Sequence, residues 1–560
     1  MKFVNTAVVN PFVDYLNSLH NDDASNQNAI AEMQISSPYF DTTQVKRPLV
    51  DFIARRLSNG DFVILTGHAG DGKTTLLAQV LAAMGNKQSA LQLTDDVVCS
   101  TQTVHYIKDF SELTEEKQTE QLLQCFHRQG AAILIANTGP LLKTFKRIGA
   151  ADYEATLLDV MDKPAGGEIA FEKLGRVFLL NIARIDNTDF IHPYLKNLIA
   201  FQNWEACSAC PNASRCPIFF NRQLLSDCFE RAAGFIQRVY LWLEAYDHHA
   251  TIRQITAHLT YAITGGLCCK DLNSRHGERF RLRYLFSNLF FGSDGCRELS
   301  SAIQIKAIQF VTAEKFDLRP TSRDYALFNQ KDYATLFPAS LAALFDVVFR
   351  QHRYDTNMEQ QIVKRAYLLF GLPTWESDKP QTEETFSEWF EYFFTLQRTG
   401  ERPKRQLKEH ICKAINTLFL GETADDHADQ MILTLRRNNE QTSNVQLLAG
   451  RISTSDVYLK CEAYETISEG KRYRLVLCIG EKHHPITLPL LNYFSEINRG
   501  IIMTDIDPLL SNGIDSLKAH LLSSHTITSE DNEVSLVFLA GNRWMKRTLY
   551  ISDHHIEHDS

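Results

Sequence analysis

Nine consecutive residues, Gly67-His68-Ala69-Gly70-Asp71-Gly72-Lys73-Thr74-Thr75, bring together three glycines, a lysine and two threonines in an order suited to holding a phosphate. Glycines let consecutive backbone N–H groups turn toward a β-phosphate, and the helix that follows adds the partial positive charge of its N-terminus. At this spacing Lys73 reaches the β- and γ-phosphates and the Thr74 hydroxyl completes magnesium coordination, while His68, Ala69, Asp71 and Thr75 complete the cradle. The chemistry implied is Mg2+-dependent binding and hydrolysis of ATP. The plain alternative is a glycine-rich turn that binds nothing.

Hydrolysis also needs a carboxylate at the tip of a neighbouring strand. In Val104-His-Tyr-Ile-Lys-Asp109-Phe-Ser-Glu112, Asp109 is placed to hold the metal through water and Glu112 to orient the attacking water. Their three-residue offset departs from the adjacent Asp-Glu pair common in the AAA+ superfamily, and Asp95-Asp96 compete for either role. The next apolar run ends at Asn137, a polar amide beside the expected γ-phosphate and so a candidate sensor of hydrolysis; otherwise it caps a helix. Farther along, His249-Ala-Thr-Ile-Arg253 puts an arginine where a lid residue would touch the nucleotide and couple its charge to domain motion, unless Arg253 is an ordinary surface residue.

A second constellation is Cys207-Ser-Ala-Cys210-Pro-Asn-Ala-Ser-Arg-Cys216-Pro217, with Cys228 the nearest fourth thiol. Thiolates at C-x2-C spacing chelate a soft cation from one tight turn, which points to structural Zn2+; the closing Cys-Pro also suits an iron–sulfur cluster. Unliganded cysteines in a reduced protein are the remaining reading.

These residues need elements to position them. An apolar strand, Asp61 to Thr66, precedes the glycine loop and an apolar helix from Leu76 to Ala83 follows it. Further short runs at Ala90–Leu93, Val104–Ile107, Ala131–Ile135 and Val177–Asn181 alternate with helical patterns, which predicts a parallel sheet covered on both faces. The expected fold is an α/β P-loop NTPase of AAA+/STAND-like type, followed by a helical lid, a helical region and a C-terminal α+β module. The expected divisions are 1–40 as an N-terminal arm, 41–200 as the ATPase core, 201–230 as the cysteine-rich element, 231–300 as the lid, 301–440 as a helical domain and 441–560 as the α+β domain.

The bulk properties agree with a multidomain globular chain. It has 560 residues, 44% hydrophobic and 22% charged, more than one compact core can absorb. No apolar run is long enough for a membrane span, the start lacks a signal-peptide pattern, and the twelve cysteines are dispersed, so a cytoplasmic location is expected. The net charge of −9 excludes global attraction to nucleic acid and leaves any DNA contact to local patches. The densest are Arg275 to Arg283 and Arg398 to Lys408; each is otherwise a solvated face, and the first could also serve a neighbouring subunit's nucleotide in an oligomer. No nuclease constellation is visible, and His554, His555 and His558 lie in a polar tail.

Taken together, Tyr39-Phe40-Asp41, the loop Gly67 to Thr75, Asp109-Phe-Ser-Glu112, the Cys207/Cys210/Cys216-Pro cluster and His249 to Arg253 resemble the DptF family, the ATPase component of DNA phosphorothioation-dependent restriction systems. The resemblance runs from about residue 39 into the lid, and more weakly into the C-terminal module at Ile486 to Leu491 and Gly500. It implies action with DptG and DptH to restrict DNA that lacks backbone sulfur. Two other classes fit the residues: a nucleotide-gated scaffold with little turnover, and a DNA-binding regulator that uses residues 445–560.

Overall fold

In this computed structural model the described residues are 9–20, 37–88, 90–128, 130–273, 277–293, 299–351, 354–373, 375, 379–421, 429–435, 444–467, 471–501, 506–524, 532–540, 543–552 and 555–558. The chain forms two compact units, Met1–Thr385 with Thr466–Glu469, and Phe386–Glu465 with Gly470–Ser560. The division after Thr385 falls inside the stretch 301–440.

The first unit begins with α1 (Pro11–Ser18), inside the stretch expected to be an arm. Pro11 fixes the first helical φ, Asn10 caps the helix by accepting from the Phe12 amide, and Phe12, Val13 and Leu16 are buried. After α2 (Pro48–Ser58) comes a six-stranded sheet in the order β2-β3-β4-β1-β6-β5. Its strands are β1 (Phe62–Thr66), β2 (Thr94–Val98), β3 (Thr103–Ile107), β4 (Ala131–Ile135), β5 (Gly167–Phe171) and β6 (Gly175–Asn181). The inner four, β3, β4, β1 and β6, are parallel; β2 and β5 are antiparallel edges.

Alternation along the inner strands builds two cores. Val63 and Leu65, Ile133 and Ile135, and Phe178 and Leu180 meet α2 and α3 (Lys73–Ala83) through Leu49, Ile53, Leu76 and Val80. Ile64, Leu134 and Leu179 face α4 (Glu115–His127), α5 (Thr138–Arg147) and α6 (Glu154–Asp162) through Leu122, Phe145 and Val160. Strands covered on both faces must be apolar throughout, which is why all five residues of β1 and of β4 are buried.

The sequence expectation needs correction at one edge. The strand that precedes β3 is Thr94–Val98, not Ala90–Leu93, so Asp95 and Asp96 lie within an antiparallel edge strand rather than at the end of a parallel one. Asp96 there pairs with His105 and Arg128. Helices dominate the rest of the unit, including α7 (Pro217–Asp227), α8 (Phe229–Ala245) and α9 (Ile252–Thr264).

The second unit contains α10 (Phe390–Thr399), α11 (Arg405–Leu420), a three-stranded antiparallel sheet β11-β10-β9 and a five-stranded antiparallel sheet β14-β13-β12-β8-β7. The first sheet comprises β9 (Val457–Tyr464), β10 (Arg472–Ile479) and β11 (Lys482–Pro485); the second comprises β7 (Gln430–Thr434), β8 (Val445–Ser453), β12 (Glu533–Ala540), β13 (Arg543–Ser552) and β14 (His555–His558). Asn416 of α11 locks onto β7, accepting from the Ile432 amide and donating to the Gln430 carbonyl. His555 and His558 are in strand β14, exposed, and His554 lies outside the described residues. Among the described residues no helix is long and apolar enough to cross a membrane.

Ile64, fully buried at the centre of the sheet, should cost about 2–5 kcal/mol when changed to alanine. Leu158→Ala, on the exposed side of α6, should cost under about 0.5 kcal/mol. Denaturation midpoints of the full chain measure the contrast.

Candidate functional site

At Thr66 the central strand passes into the glycine loop, and the loop into α3. Gly72 is left-handed (φ 78°) at the helix N-cap, a conformation that a side chain would strain. Gly70 is also left-handed (φ 98°), and a Cβ on it would lie 2.9 Å from the Thr251 hydroxyl oxygen, so glycine lets the start of α9 come up against the loop. There the Arg253 amide donates to the Gly70 carbonyl at 3.1 Å, and Thr251 and Gln254 form a capping box on α9. The first amides of α3, on Lys73, Thr74 and Thr75, have no intrahelical acceptor and project from the helix end.

Lys73 folds back on the loop, its Nζ donating to the carbonyls of Gly67 (2.9 Å) and His68 (2.7 Å). Burial lowers the lysine pKa; Asp71 and Asp109 act against that, and Arg253 adds to it. Lys73, Asp109 and Arg253 therefore share one electrostatic neighbourhood, although Asp109 follows β3, two strands from β1, and Arg253 belongs to α9. Asp109 accepts from the Ser111 amide at 2.9 Å. Asn137 stands at the N-cap position of α5 without capping it through its side chain; its Nδ2 donates to the Ser111 hydroxyl at 3.2 Å. The Thr66 and Thr138 hydroxyls are 2.9 Å apart, so the C-terminal ends of β1, β3 and β4 are laced together. Glu112 is exposed on the short turn Phe110–Glu112.

Asp71 is only 1% exposed, yet it is a carboxylate inside the loop. One oxygen accepts from the His68 amide at 2.7 Å; the other lies 3.8 Å from His249 Nε2. His249 also contacts Glu244 through Nδ1 at 3.0 Å. Burial alone would favour the neutral ring, but the hydrogen bond to Glu244 and the nearby charges of Asp71 and Glu244 raise its pKa to about 10. Arg47 closes the arrangement by donating to the Asp71 carbonyl and to Asn187 Oδ1, each at 3.3 Å; Asn187 in turn donates to the Ala250 carbonyl. The segment leading into α9 is thereby fastened to the glycine loop.

Beside Gly72 and Thr75 opens a pocket of about 80 Å³ lined by Phe40, Tyr194, Ile252 and Thr256 among others. Its lining is mainly apolar, with aromatic rings and aliphatic groups beside the Thr256 hydroxyl.

Among the cysteines, Cys207, Cys210 and Cys216 are neighbours, and Cys216 caps α7, its sulfur accepting from the Phe219 amide at 3.4 Å. Cys228 stands apart from them: its thiol is 3.9 Å from the Phe370 carbonyl and its charged neighbours are Asp227 and Arg231. The described cysteines are free thiols. Of the basic stretches, Arg281 pairs with Glu278 and stacks on Phe220, Arg279 lies over Tyr354, and Arg275 lies outside the described residues.

Sequence reasoning missed Arg47, Asn187, Ser111, Tyr194 and Thr256. Ser111 sits inside the Asp109-Phe-Ser-Glu112 element, where only the carboxylates drew notice; the other four sit in no recognisable motif and reach the site through tertiary packing. No family model matches the chain, and no curated protein or solved structure is similar to it.

The Asp71–His249–Glu244 cluster carries a pH dependence. A ring near 6.5 when unfolded and about 10 when folded contributes stability that is complete below pH 6.5 and lost as pH rises through about 10. Thermal melts of the wild type should therefore decline across that window. His249→Gln should flatten the decline and lower stability at pH 7 by about 3 kcal/mol.

Proposed function

We propose that the chain binds ATP with Mg2+ in the Gly67–Thr75 loop and hydrolyses it. The observation that carries this reading is the convergence of Lys73, Asp109, Asn137 and Arg253 at the C-terminal ends of the inner strands, in front of the free amides of α3. Ligands of open α/β sheets bind in that crevice. The phosphates would replace the Gly67 and His68 carbonyls as partners of Lys73, Thr74 and Asp109 would hold the metal, and the base would enter the pocket at Phe40 and Tyr194. Arg253, tied to Gly70 by its own backbone, would carry the loss of the γ-phosphate into α9.

Biologically, the resemblance of these motifs to DptF supports a role as the ATPase of a DNA restriction complex acting with DptG and DptH on DNA without phosphorothioate. The exposure of Glu112 favours a second reading, a nucleotide-gated scaffold in which turnover is slow until a partner completes the site. Direct DNA contact has a candidate surface in the second unit: a groove of about 760 Å³ lined by Arg402, Lys404, Arg405, Lys408 and Lys413, with Glu409 and Asp429 also on its wall.

Calorimetry with ATP and Mg2+ should show binding that Lys73→Ala removes, with ATPase activity falling on the order of a hundredfold. A Lys73→Ala protein as active as wild type would overturn the reading. For the groove, Arg402→Glu, Lys404→Glu and Lys408→Glu combined should weaken DNA binding by the full chain and reduce its log–log salt slope by about two to three.

A further inference from the structure

Four strands of the second unit, β8, β12, β13 and β14, carry apolar residues on both faces of their sheet. An antiparallel sheet with one face in water normally alternates apolar and polar residues along each strand, whereas strands covered on both faces read as continuous apolar runs. One face of this sheet is covered: Val537 and Trp544 are buried with Leu420 of α11, and Leu539 packs against them. The opposite face should then be polar. Instead, the strand register aligns on it Leu447 of β8, Leu536 and Phe538 of β12, Met545 and Ile551 of β13, and Ile556 of β14. Leu447 is 47% exposed, Met545 50%, Ile551 44% and Ile556 68%.

Such side chains left in water forgo about 1.5–3 kcal/mol each relative to full burial. Charge is distributed to match. The carboxylates of β12 and β14, Glu533 and Glu557, both align with Tyr550 on the other face, and β8 and β13 contain none. Arg547 does stand on the apolar face, but its guanidinium lies over the Phe538 ring, 5.5 Å from the centroid. Methionine, aromatic rings and arginine are what interface cores enrich, and Asp and Glu are what they exclude.

We propose that two copies of the chain pack on each other through this face, sheet on sheet about a two-fold axis. Four strands about 4.8 Å apart, with the eight-residue length of β12 rising about 3.4 Å per residue, make a face of roughly 500 Å² in projection. That is near the upper end of what a monomer leaves exposed. Side-chain relief brings it toward the roughly 800 Å² that each partner contributes to a standard interface. Twisted sheets stack at about −30° with their side chains interdigitated, and a second copy brings a sheet of the same twist and the same apolar relief. The two-fold axis closes the contact as a dimer, because the same patch is used on both sides.

The test is sedimentation of the full chain without nucleotide, so that association through the glycine loop does not enter. At about 10 μM, wild type should run at twice the mass of one chain. Leu447→Glu and, separately, Ile556→Lys should each raise the dissociation constant of the dimer at least about tenfold. Both should keep the wild-type circular dichroism spectrum, because both positions are exposed; should one fail to fold, the other still decides. Val98→Glu, on β2 of the first unit and 73% exposed, should leave the dimer intact. Wild type that is monomeric at that concentration would overturn the proposal and leave the face to a partner of different sequence. So would an assembly of any size that both face variants leave intact, or one that Val98→Glu weakens as much as they do.

Discussion

A buried carboxylate inside a glycine-rich loop is the constraint on which the rest of this site depends. Asp71 has almost no contact with water, so its charge must be met by the protein. The His68 amide meets one oxygen and the ring of His249 approaches the other, with Arg47 and Lys73 close by. His68 and Lys73 belong to the loop itself, whereas Arg47 precedes α2 and His249 follows α8. The loop's shape is therefore not a property of its glycines alone; it also depends on Arg47, ahead of α2, and on His249, in the segment after α8.

The same logic explains the position of Lys73. An ammonium group in this partly buried place needs acceptors, and the loop carbonyls provide them. Ser111 performs a comparable task between strands: it joins Asp109 to Asn137 and so sets the spacing between the ends of β3 and β4.

Much of this was legible in the sequence, and the boundary of legibility is physical. Strands β1, β3 and β4 are apolar runs because both their faces are covered, and the glycine loop announces itself by composition. Edge strands obey a weaker rule. Thr94-Asp-Asp-Val-Val98 carries two carboxylates where a buried strand could carry none, and Gly167–Phe171 alternates between buried and exposed residues, so neither stands out as an apolar run. Cysteine spacing found Cys207, Cys210 and Cys216, which lie within ten residues of one another. Cys269 comes beside Asn10 only because the chain after α9 returns to α1, where Asn17 donates to the Leu267 carbonyl and accepts from the Thr264 hydroxyl; nothing in a linear string records that return. Cys228 is nearer in sequence and faces another helix.

Helix α9 has a further consequence. Its first turn is hydrogen-bonded to Gly70, and the turn after its last residue bears Cys269. Thirteen helical residues span about 20 Å as a nearly rigid strut. Any event that displaces one end of such a strut does work on the other, and by reciprocity the influence is equal in both directions. A shift of the chain that follows α9 would thus be felt at Gly70, and a rearrangement of the glycine loop would be felt at the turn that bears Cys269.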